Sequence, residues 1–163
     1  SRKLTSNTAM TSMRSSRTLE QWTEEFVRRL KKQAEADRAD DVPTYNRLHK
    51  KVVEALNAIL GAGPRGRDVL ENLLSHETPQ VRMWAAGQVI KWDPDKAIPV
   101  LGHLIVDKLP DETAAMERVT IRIGASSYLE KHFGVKNYDR NGLIEPLKAY
   151  GIDVPRRSEQ PWL

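Results

Sequence analysis

Two stretches of this chain, forty residues apart, carry the same pattern of residues. Val81-Arg82-x-x-Ala85 lies over Ile121-Arg122-x-x-Ala125, and Val89 lies over Leu129. In the segment after each, Leu101-x-x-Leu104 matches Ile144-x-x-Leu147 with a slip of three residues. Apolar residues three and four apart fall on one face of a helix. A unit near forty residues with two such helices cannot bury its apolar faces alone, so it must stack on a neighbour.

The same spacing governs the chain upstream. Thr18 and Gln21 form a capping-box pattern, and Leu19, Trp22, Phe26, Leu30 and Ala34 make a first apolar stripe that ends near Arg38. Pro43 suits the first turn of a second helix, whose stripe is Tyr45, Leu48, Val52, Leu56 and Ile59. Gly61-Ala62-Gly63-Pro64 stops it, and a short third helix over 65–74 carries Val69, Leu70, Leu73 and Leu74. Thr78-Pro79 and Asp93-Pro94 each place a capping residue before a proline, a start signal with a mechanism. Ala85 and Ala86 are small enough to let a neighbouring helix approach. Alternation of apolar and polar residues over a strand's length is hardly seen. The expected fold is all-α, with about seven helices over 18–154.

Charge narrows the function classes. The chain has 163 residues, no cysteine and a formal net charge of +4. Residues 1–17 hold Arg2, Lys3, Arg14 and Arg17 and no acid, leaving 22 basic and 22 acidic residues in the remainder. The basic excess therefore belongs to an expected disordered N-terminal tail, with 155–163 as a second tail. A neutral domain is a poor match for a phosphate backbone. Without cysteine there is no disulfide framework, which fits a reducing cytoplasm. No apolar run approaches the roughly 20 residues of a membrane span.

Thr78-Pro79-Gln80-Val81-Arg82-x-x-Ala85-Ala86, followed by Asp93-Pro94-Asp95-Lys96-Ala97-Ile98-Pro99-Val100-Leu101, resembles HEAT-like repeats. Tyr45 through Leu104 looks like a small bacterial family of HEAT-like proteins. The resemblance implies a right-handed α-solenoid of antiparallel helix pairs, with 43–74 as a divergent first unit and 19–37 as a capping helix. The family's usual aspartate some six residues before the arginine is replaced here by His76 and Met116. The ladder of Asp–Arg pairs between units is therefore not expected in its usual form.

No constellation in the chain suits catalysis, a metal or a cofactor. His49, His76, His103 and His132 lack ligand spacing, and the Gly61–Gly66 stretch lacks the lysine and hydroxyl of a phosphate loop. Ser126-Ser127 has no base partner or elbow motif. Glu24-Glu25 and Asp40-Asp41 read as solvated, while Asp111-Glu112 is expected at a helix start, where acids favour the dipole. Trp22 is expected in the core, Trp84 at its edge and Trp92 at a helix end, while Trp162 lies in the C-terminal tail.

What remains is a binding surface. The second helices of successive units offer Arg67, Glu71, Lys96, His103, Asp107, Glu145 and Lys148, with Trp84 as an aromatic candidate. Mixed signs suit a protein partner. The expected function is a non-catalytic protein-binding module, in its most concrete form an immunity-type inhibitor that occludes a toxin. The alternative is nucleic-acid binding through Arg65, Arg67, Arg82, Lys91 and Lys96, helped by the basic tail.

Overall fold

The computed structural model describes residues 17–136 and 139–157. Most of the expected tails, 1–16 and 158–163, lies outside the described residues. Seven α-helices and no strands occur among them: α1 Leu19–Arg38, α2 Val42–Gly61, α3 Pro64–Asn72, α4 Pro79–Val89, α5 Pro94–Val106, α6 Ala115–Phe133 and α7 Ile144–Lys148. Short 3₁₀ turns at Leu73–Ser75 and Arg140–Leu143 follow α3 and precede α7.

The start signals act as their chemistry requires. The Thr18 hydroxyl accepts from the Gln21 amide at 3.1 Å, and the Gln21 side chain accepts from the Thr18 amide at 2.8 Å. Thr78 and Asp93 cap without a side-chain hydrogen bond. There proline alone sets the first turn, because its fixed φ is already helical and it has no amide to leave unpaired. Asp111 and Glu112 do not begin a helix. They lie in a turn, and α6 starts after Ala114.

Most of each stripe is buried, but Leu19, Trp22, Tyr45, Val69 and Leu74 are only half-buried, so Trp22 borders the core instead of filling it. In α1 the buried line runs Phe26, Arg29, Leu30, Gln33 and Ala36, while Ala34 is only half-buried. Arg29 belongs to that line because its guanidinium donates to the Lys51 carbonyl of α2 at 2.7 Å and pairs with Glu25 at 3.0 Å. Trp22 is half-buried beside the core, with the Arg17 guanidinium 4.8 Å from its ring centroid. Phe26 is fully buried, which stabilises the fold by about 1.5–3 kcal/mol.

α4 lies at the centre, in contact with α1, α3, α5 and α6. It is buried nearly all round, from Val81 through Met83, Ala85 and Ala86 to Val89. A helix in that position needs small residues on several sides. Gly87 is one: a methyl group there would run into the Tyr128 ring of α6. Gly66 does the same between α3 and α2, where a side chain would overlap the Ile59 carbonyl.

The forty-residue pattern has a direct structural counterpart. Val81 and Ile121, Ala85 and Ala125, and Val89 and Leu129 are all buried. So are Leu101, Leu104, Ile144 and Leu147. The paired arginines both donate to backbone carbonyls, but of different segments. Arg82 donates to the carbonyls of His76 and Glu77 at 2.7 and 3.0 Å, past the end of the 3₁₀ turn that follows α3. Arg122 donates to the carbonyls of Leu104, Ile105 and Asp107 at the end of α5. Arg82 thus braces the loop that leads into its own helix, whereas Arg122 supplies donors to the carbonyl end of the preceding helix.

Candidate functional site

The sequence candidates form one group at the amino end of α5, a pair at its carboxyl end and a pair on α7, with Trp84 apart from all three. At the amino end of α5, Lys96 lies 3.5 Å from Glu71 of α3 and 3.7 Å from Asp93. The Arg67 guanidinium stands 5.1 Å from the centroid of the Trp92 ring, a cation–π distance. The Tyr150 hydroxyl donates to Asp95 at 3.0 Å and ties the segment after α7 to the same end. Glu145 and Lys148 pair with each other at 3.0 Å on α7. At the carboxyl end, His103 meets Asp107 one turn on, 3.2 Å apart. Pro99 and Val100 lie half-buried between these groups.

Trp84 faces elsewhere. Its ring packs edge-on against Phe26, centroids 6.3 Å apart, and lies 5.7 Å from the His49 ring. It is a wall between α4 and the α1–α2 pair. The cations of the nucleic-acid alternative are also engaged. Arg82 donates to backbone carbonyls, Lys91 donates to Gln88 at 3.0 Å, and Arg65 lies 3.9 Å from Glu20.

A second site lies beyond the carboxyl end of α5, and sequence reasoning missed it. Arg118, Arg122, Arg140 and Arg157 line a cavity of about 410 Å³, with Val106, Ala115 and Val119 as its apolar wall. Ala115, Arg118, Val119 and Arg122 come from one face of α6, at spacings of three and four. Arg140 comes from the 3₁₀ turn, and Arg157 from the segment after α7. Asn141 fixes that segment: its side chain donates to the Arg157 carbonyl at 2.6 Å and accepts from the Arg157 amide at 2.8 Å.

Three of these guanidinium groups, Arg118, Arg122 and Arg140, lean on backbone carbonyls. Arg118 donates to the Thr113 carbonyl at 3.0 Å, and Arg122 to the end of α5. Arg140 donates through Nη2 to the Ile105 carbonyl at 3.1 Å, the oxygen that also accepts from Arg122. A helix carboxyl end supplies roughly half a negative charge, far short of several guanidinium groups. Burial, then Arg118 and Arg157, lower the pKa of Arg122, and Asp107 opposes them. Burial, then the repulsion of Arg157 and Arg122, brings Arg140 down to about 10.

Arg140 is 6 % exposed, and its Nε and Nη1 have no hydrogen-bond partner among the described residues. An unsatisfied buried donor costs about 1–3 kcal/mol, and more when charged. The α6 half of this site was visible as Arg118-x-x-x-Arg122, a like-charge pair on one helix face. Nothing in the spacing of Arg140 or Arg157 joins them to it.

Among the described residues, no group of three or more His, Asp or Glu side chains is placed to hold a metal ion. No helix there is long and apolar enough to cross a membrane. Comparison with protein-family models, with curated proteins and with solved structures found no match.

Proposed function

We propose that this chain is a HEAT-like protein-binding module whose face along α3, α5 and α7 docks another protein. Its helix pairs stack as a short right-handed solenoid. The equivalent burial of the two copies of the pattern supports that reading. The role most consistent with a rigid face of this kind is immunity-type inhibition, in which the module covers a toxin's working surface.

One observation carries the proposal. Arg67 on Trp92, Glu71 with Lys96, and Asp95 with Tyr150 link side chains from three successive parts of the chain. Such links hold arginine and aromatic side chains in place before a partner arrives, which lowers the entropy cost of docking. Surrounding them with both signs of charge favours a partner of complementary pattern.

The test is affinity purification with the full chain, followed by titration of the purified partner against variants. Arg67→Ala and the Lys96→Glu charge reversal are expected to weaken binding by about tenfold each, an effect of about 1.4 kcal/mol. Glu24→Ala, on the exposed side of α1, is expected to leave it unchanged. A partner equally sensitive to all three, or to none, would remove the face from the proposal. Inhibition of that partner's activity by the wild-type chain checks the immunity role.

A further inference from the structure

We propose that the arginine-lined cavity beside α6 is a small-molecule site for a phosphate monoester. The dianionic head sits among Arg118, Arg122 and Arg140, and the organic body lies against Val119 and Val106. None of the eight candidate docking residues lines this cavity, so the inference stands apart from the protein-binding reading.

Three observations converge on it. First, the cluster already spends its easy contacts. The carbonyls at the end of α5 take Arg122 and one nitrogen of Arg140, yet Nε and Nη1 of Arg140 remain without an acceptor. Buried donors are nearly always paired in folded proteins, and these two, on different edges of the guanidinium, leave a buried positive charge that the described residues do not neutralise. Second, the charge count calls for more than a carboxylate. Arg118 and Arg122 come from successive turns of α6, and Arg140 joins them from the 3₁₀ turn. A monoanion satisfies one fork, whereas a phosphate monoester offers three oxygens and close to two charges. Third, the cavity exceeds what a bare ion fills. At about 410 Å³ it falls in the range of small-molecule sites, and its uncharged lining is apolar.

Capping alone does not account for the arrangement. Arginines recruited only to satisfy helix carbonyls have no need to crowd one another, and like charges placed four residues apart on a helix disfavour it. A bound dianion turns that mutual repulsion into shared attraction.

Calorimetric titration of the full chain with phenyl phosphate at low salt tests the assignment. Saturable one-to-one binding is expected, weaker for inorganic phosphate, which lacks the organic body. Arg140→Met is expected to weaken phenyl phosphate binding by about tenfold or more, the loss of a buried charge beside the anion. Because Arg140 is buried, Arg118→Gln serves as the second variant: a several-fold loss is expected with an unchanged circular-dichroism spectrum. Absence of saturable binding to the wild type overturns the proposal, as does binding that both variants leave intact. Benzoate bound as tightly would make the site a carboxylate site. A phosphotyrosine peptide or a short oligonucleotide bound more tightly than phenyl phosphate would assign it to a macromolecule instead.

Discussion

The two ends of α5 handle charge in opposite ways. At the amino end, Lys96 lies between Glu71 and Asp93, Asp95 accepts from Tyr150, and each charge has a neighbour of opposite or accommodating character. The groups are largely in water, where an ion pair is worth roughly 0–1 kcal/mol and losing it costs little. At the carboxyl end, guanidinium groups gather on backbone carbonyls, and one of them is buried with two donors unused. The first end is a surface that has compensated itself. The second is a site held together at an energetic cost, and such a cost inside a cavity is a stronger pointer to a ligand than any count of exposed charges.

This contrast predicts a graded response to substitution. The largest effect belongs to Arg122→Ala, which strips the donors from Leu104, Ile105 and Asp107 at the end of α5. A loss of about 2 kcal/mol is expected in urea unfolding, relief of repulsion offsetting part of the lost hydrogen bonding. A change near zero would mean that the arginine cluster, not the carbonyl contact, dominates Arg122. Next comes Val119→Glu, which places a carboxylate at the cavity wall where the side chain is 42 % exposed. It is expected to stabilise the fold by about 1 kcal/mol at low salt, to lose that gain in high salt, and to compete with added phosphate. Destabilisation at low salt would show that the cluster's charge is already neutralised. The smallest effect is Lys96→Ala, expected to change stability by only a few tenths of a kcal/mol because its ion pairs are exposed. A loss above about 1 kcal/mol would erase the distinction between the two ends.

The helices themselves were legible along the chain. The capping box at Thr18, the prolines at 79 and 94 and the glycine-rich stop after α2 act over a few residues, within reach of local pattern. The Val-Arg pattern went further and anticipated matched core positions, because identical spacing on a helix buries identical faces. The expected helix start at Asp111 is not one: α6 begins at Ala115, four residues beyond it. Arg29 of α1 reads as a solvated charge until α2 brings a carbonyl to it. The binding candidates were found as a row on α3, α5 and α7, but their pairing depended on which helix lay beside which.

Local pattern determined the seven helices and which stripe of each turned inward, since helical periodicity and capping are properties of neighbours in sequence. Only the tertiary structure decided where the charge collects. Arg118, Arg140 and Arg157 are separated by turns of unrelated composition, and electrostatic energy depends on distance in space. Their meeting at one end of α5 follows from how α6, the 3₁₀ turn and the last described residues pack, with the Asn141 clamp holding the third of them in place.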